Sequence, residues 1–140
     1  MDKRPIGVFD SGLGGLTCVK EIMRIMPGED VIYFGDTGRV PYGTRGADTI
    51  VKYVRQDIRF LQSFDIKMII IACGTASSAA LPWLADEITT EITGVVEPAA
   101  MLAMKATKNN KIGILGTAGT IRSGKYPEYI KNPCNSITKN

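Results

Sequence analysis

A chain of 140 residues, 44% apolar and 22% charged, is long enough to close one hydrophobic core and too apolar to remain disordered. Its net charge of +3 is too small and too dispersed for a nucleic-acid surface, and its apolar runs, Met68 to Cys73 among the longest, are far too short to cross a bilayer. The absence of histidine removes the commonest general base and metal ligand, so any acid–base work falls to Cys, Asp, Glu, Lys or Tyr.

From the amino terminus, MDKRPIG lacks the apolar stretch of a secretion signal, and a cytoplasmic protein is expected. The run Ile6 to Phe9 reads as a strand, with Asp10-Ser11-Gly12-Leu13-Gly14-Gly15 as the loop behind it. Leu16, Val19, Ile22, Met23 and Met26 then fall on one face of a helix that Pro27-Gly28 stops. The unit recurs as Val31 to Phe34, a loop through Asp36 to Gly43, and a helix with Ile50, Val54, Ile58 and Leu61 at helical spacing. Met68 to Ala72 with a helix through Trp83 makes a third. Fainter units follow: Thr93 to Val96 with a helix from Pro98, and Lys111 to Leu115 with Gly116-Thr117-Ala118-Gly119-Thr120 behind it. Trp83 and the methionines at helical spacing read as core. The polar stretch from Pro127 to Asn140, with two prolines, reads as loosely ordered.

Strands alternating with helices at this rhythm predict right-handed crossovers and a three-layer α/β domain, a mostly parallel sheet with helices on both faces. The strand-to-helix loops then open on one edge. The glycine- and hydroxyl-rich ones, DSGLGG, DTGRVPYG, CGTAS and GTAGT, gather there, which suits a small polar ligand held by backbone N–H groups.

Two glycine loops are near misses. Gly12-Leu13-Gly14-Gly15-Leu16-Thr17 has Thr17 where a dinucleotide fingerprint has its third glycine, and the segment Gly119 to Tyr126 has Tyr126 where a phosphate-binding loop needs Ser or Thr for magnesium. Neither supports nucleotide binding. The three cysteines, Cys18, Cys73 and Cys134, are too widely spaced for a disulfide framework or a zinc knuckle, so reduced thiols are expected. Cys18 reads as helix packing, and Cys134 has no supporting motif. Cys73 closes the run IIIAC at the end of a buried strand. It is either a small buried hydrophobe capping that strand or a thiol placed where open α/β sheets do chemistry, with amide groups of a helix starting near Thr75 favouring the thiolate. Asp10 likewise reads as a turn-capping carboxylate or, given a partner across the sheet edge, as a functional one.

Taken together, IGVFDSGLGGLT, YFGDTGRVPYGTR, IIIACGTAS and KIGILGTAGTIRSG, in this order and spacing from Pro5 to about Tyr126, resemble the amino-terminal half of glutamate racemases, in the aspartate/glutamate racemase superfamily. The resemblance implies two similar α/β domains facing a cleft, each giving one cysteine. It also implies no cofactor or metal, and a thiolate on one face of glutamate with a thiol on the other, in the service of peptidoglycan synthesis. Carried over by position, it implies that Cys73 is one of the two acid–base cysteines, assisted by Asp10. Ser11, Pro41, Tyr42, Gly43, Thr75, Ala76, Thr117 and Thr120 would hold the substrate. Residues 1–126 would then be the racemase-type domain and 127–140 a polar tail that stops before a second domain.

Two departures bear on activity. Gly74 stands where the family usually has asparagine, and the second cysteine motif with its histidine is missing. One base removes and returns a proton on one face only, so the chain alone is expected to racemise poorly or not at all. A homodimer through the exposed cleft face would set two Cys73 thiols opposite each other. The competing reading is a non-catalytic domain that binds a dicarboxylate or a protein partner.

Overall fold

The computed structural model describes residues 2–132. Strand β1, Ile6–Asp10, is buried along its whole length, and it is flanked by β2, Val31–Gly35, and β3, Met68–Ile71, with β4, Glu91–Gly94, beyond β3. All pairings are parallel, with Ile6 opposite both Val31 and Met68, and Met68 opposite Glu91. A strand paired on both sides and covered on both faces is a continuous apolar run, which is how IGVF and MIII read.

Alternating side chains feed two cores. On one face Phe9, Ile69 and Ile71 meet Ile50, Val54, Ile58 and Leu61 of α2, Ala47–Gln62, together with Ala76 of α3, Gly74–Ala79, and Leu84 of α4, Leu81–Leu84. On the other face Ile6, Val8 and Ile70 pack against Cys18, Val19 and Ile22 of α1, Leu16–Ile25. The expected three-layer α/β domain is what the chain forms. Close packing reaches the backbone at Gly7, where a Cβ would stand 2.7 Å from the Ile66 side chain.

Several local expectations change. The helix through Trp83 arrives as α3 and α4, with Pro82 in the first turn of α4, and Trp83 is 72% exposed. Met23 and Met26 are exposed because α1 lays only a narrow stripe on the sheet, with Ile22 its one buried residue. The fourth strand and its helix start about two residues early, β4 ending at Gly94 and α5 spanning Val96–Ala106.

Lys111 to Leu115 forms no strand, and Leu115 is fully exposed. Its apolar residues suit a strand, but among the described residues the segment pairs with no neighbour, and a strand exists only through its partner's hydrogen bonds. Two further helices close the described chain, α6, Ala118–Arg122, and α7, Lys125–Lys131, the latter packed on α5. The start of the stretch expected to be loose is therefore helical, while Cys134 and the rest of 133–140 lie outside the described residues.

Candidate active site

The sheet order β2-β1-β3-β4 reverses between β1 and β3, because the chain winds outward from β1 to β2 and then returns to the far side of β1. Open α/β sheets bind ligands beyond the strand ends at such a reversal. Ser11 follows β1 there, and Cys73 follows β3.

Cys73 has extended backbone, φ −96° and ψ 120°, and is the cap residue of α3. Its sulfur accepts the Ala76 N–H at 3.4 Å, and its thiol donates to the Ser11 hydroxyl at 3.4 Å. Only 5% of the residue is exposed, and its side chain also closes one end of the larger apolar core. The structure thus joins the two readings of Cys73: it packs as a small hydrophobe while its sulfur faces a hydroxyl and an amide. Ala76 is wholly buried, and its N–H is committed to that sulfur.

Asp10 ends β1 and accepts the Gly15 N–H at 2.9 Å, which closes the DSGLGG loop on itself. Glycine is required at 15, since a Cβ there would meet Asp10 Cβ at 2.7 Å and Ala72 Cβ at 3.0 Å. Gly15 therefore serves close packing of the loop on the sheet edge, whereas Gly12 and Gly14 leave room for a Cβ. Tyr33 donates to the Gly12 carbonyl at 2.8 Å, and burial, then the nearby Asp10 and Cys73, push its hydroxyl above the usual phenol range. Asp10 and Cys73 therefore act on one phenol, although Asp10 spends its hydrogen bond within its own loop.

A second group of residues adjoins the first. Thr75 Oγ1 lies 2.8 Å from Thr117 Oγ1 and 3.5 Å from Thr120 Oγ1, and the last two hydroxyls are 3.1 Å apart. Thr117 caps α6 by accepting the Thr120 N–H. Gly43 supports this cluster from the β2 loop, its carbonyl accepting the Gly119 N–H at 3.1 Å. A Cβ on Gly43 would stand 2.5 Å from Thr117 Cβ, so the approach depends on its absence. A Cβ on Gly74 would meet only Thr120 Oγ1, at 3.9 Å, which places the cluster beside the residue after Cys73.

Pro41 is exposed at this edge, whereas the Tyr42 side chain turns inward and is 1% exposed. Its hydroxyl lies between the carboxyls of Asp36 and Asp57, 2.7 Å from Asp57 Oδ2, and Arg39 bonds both, through Nε to Asp36 at 2.7 Å and through Nη2 to Asp57 at 2.6 Å. Tyr42 thus offers only backbone to a ligand. Asp57 and Tyr33 escaped the sequence reading. For Asp57 a signal exists, because it falls seven residues after Ile50 and three after Val54, inside the buried stripe of α2.

No family model matches the chain. It is 47% identical over 131 residues to a glutamate racemase of Geobacter metallireducens, covering 94% of this chain and 48% of that protein. It is 48% identical over 128 residues to one of Staphylococcus aureus strain JH9, covering 91% and 48%. Among solved structures it superposes on glutamate racemase isoform RacE1 of Bacillus anthracis with a TM-score of 0.91 at 40% identity, over 95% of this chain and 50% of that one. The enzyme of Francisella tularensis in complex with D-glutamate matches with a TM-score of 0.85 at 43% identity, over 95% and 50%. The chain spans about half the length of the curated relatives it matches.

Proposed function

We propose that this chain, a homologue over nearly its whole length of about half of a glutamate racemase, forms one wall of a cofactor-independent racemase site that acts on glutamate. The observation that carries the reading is the meeting of Cys73 and Ser11 where the strand order reverses, with three threonine hydroxyls beside them.

In this reading Cys73, as thiolate, takes the α-proton from one face of the amino acid. The Cα–H bond breaks, an S–H bond forms, and the electron pair moves into the α-carboxylate. Returning the proton reverses the step. Asp10 assists from the end of β1, and Ser11, the backbone of Pro41, Tyr42 and Gly43, and Thr75, Thr117 and Thr120 hold the carboxylates and the amino group, while Ala76 acts through the N–H it gives the Cys73 sulfur. An α-proton is weakly acidic, so donors fixed in place where charge develops supply most of the acceleration. Inversion needs an acid on the opposite face, from a second domain or from a second copy of this chain across the open face. The setting would be the cytoplasm and the product D-glutamate for peptidoglycan.

Calorimetric titration with D- and L-glutamate, alongside exchange of the α-hydrogen with solvent deuterium, tests the proposal. Exchange with retained configuration marks a half-site. Binding without exchange favours the non-catalytic alternative, a dicarboxylate-binding domain, and neither signal overturns both.

A further inference from the structure

The hydroxyl of Tyr42 carries one hydrogen, yet its oxygen lies within hydrogen-bonding distance of a carboxyl oxygen on Asp36 and another on Asp57. A phenol donates one bond, so the second contact is a hydrogen bond only if that carboxyl is itself protonated and donates to the phenol oxygen. The geometry therefore holds one proton beyond the phenol's own. With that proton, two carboxyls and the Arg39 guanidinium make a neutral buried unit. Without it the unit is an anion, in surroundings where Asp57 is 1% and Asp36 6% exposed. The guanidinium is further held by the Tyr53 ring, 4.5 Å from its carbon.

This unit is linked to the sheet edge through Gly43, next in sequence to Tyr42. The Gly43 carbonyl takes the Gly119 N–H, and its bare Cα packs on Thr117, whose hydroxyl contacts those of Thr75 and Thr120. A line of contacts thus runs from Asp57 on α2, through Tyr42 and Gly43, to the hydroxyl cluster beside Cys73.

We propose that Asp57, with Asp36 and Arg39, is a positioning group that clamps Tyr42, so that the proton shared between Asp57 and Tyr42 sets how firmly the 41–43 loop holds the hydroxyl cluster. Its bearing on glutamate rests on the function proposed above; its bearing on the loop does not.

The groups facing the Asp57 carboxyl are Tyr42, Asp36 and Arg39. Burial raises its pKa most, the Tyr42 hydrogen bond opposes this, Asp36 adds to it and Arg39 opposes it, leaving the carboxyl pushed up to about 6. Above that pH two carboxylates compete for one phenolic hydrogen, one contact is lost, and the loop slackens. Asp57→Asn imitates the protonated state, its amide able to donate to Tyr42 while its oxygen accepts from Arg39.

The test is NMR on the full chain without ligand, from pH 4.5 to 8. The Asp57 carboxyl carbon and the Gly43 and Gly119 amides are expected to titrate together with a midpoint near 6. In Asp57→Asn those amides are expected to stay at their low-pH positions throughout. Flat Gly43 and Gly119 signals in the wild-type chain overturn the proposal, as does an unchanged titration in Asp57→Asn. The wild-type titration decides alone if the variant does not fold. A chain that binds no glutamate but shows the coupled titration sinks the functional reading and leaves this one standing.

Discussion

Cys73 and Ser11 leave different strands 62 residues apart in sequence, and their side chains meet at 3.4 Å across the gap where the sheet reverses its winding. The parallel pairing of β1 with β3 brings those strand ends level, Phe9 lying opposite Ile71, so the contact follows from register. Replacing Ser11 with alanine removes the acceptor of the thiol while leaving the fold untouched. Stability by chemical denaturation is expected to fall by no more than about 1 kcal/mol, whereas α-hydrogen exchange of glutamate is expected to drop well beyond that. An equal loss in both would assign Ser11 to packing.

Gly43 and Gly38 sit in the same loop and differ in surroundings. A methyl on Gly43 would press on Thr117 Cβ at 2.5 Å, while one on Gly38 meets nothing within 4 Å. Gly43→Ala is expected to destabilise by about 1–3 kcal/mol, through strain in the contact between the loop and α6, and Gly38→Ala by less than about 0.5 kcal/mol. Urea melts of the two variants compare them directly.

At Gly74, where the resemblance read from the sequence implies asparagine, the backbone leaves room for a side chain, since among the described residues a Cβ there would meet Thr120 Oγ1 alone, at 3.9 Å. Gly74→Asn is therefore expected to fold normally and to bind glutamate more tightly, by a few-fold to tenfold for one added neutral hydrogen bond of about 0.5–1.5 kcal/mol. Calorimetry that finds equal affinity in both chains contradicts a substrate role for that position.

The pH dependence of stability carries the signature of Asp57. Its carboxyl is pushed up from 3.8 to about 6 in the fold, so the folded chain binds this proton more tightly than the unfolded chain does. The resulting stabilisation is complete below about pH 4 and is lost as pH rises through about 6. Asp57→Asn lacks that loss. Its stability relative to wild type is expected to climb between pH 4 and 7 and to level off above, by about 1–3 kcal/mol in total. Denaturation midpoints measured across this range check the slope, and parallel curves for the two chains would refute it.

Much of this arrangement was legible in the residues, for physical reasons that can be named. Ile50, Val54, Ile58 and Leu61 announce α2 because a long amphipathic helix must repeat its buried stripe, and all four are buried. The buried runs of β1 and β3 are equally plain because both faces are covered. Lys111 to Leu115 misled because periodicity reports what a segment could pair as, whereas its partner strand is a matter of the rest of the sheet. Trp83 misled because α4 is a single turn that buries Leu84 and leaves the neighbouring ring exposed. Asp57 was passed over because charge in a helix usually means solvent, and its partners Arg39 and Tyr42 sit in a loop whose fold no local pattern encodes. Ser11 meets Cys73, and Thr75 meets Thr117 and Thr120, at one sheet edge, while the inward turn of Tyr42 is visible only in three dimensions.

The most direct measurement follows deuterium from solvent into the α-position of D- and L-glutamate in the presence of the full chain and of its Cys73→Ser variant. The account predicts incorporation by the wild-type chain, with configuration largely retained, and none by the variant. Incorporation that persists in Cys73→Ser, or none with the wild-type chain saturated with glutamate, contradicts the central role given to that sulfur.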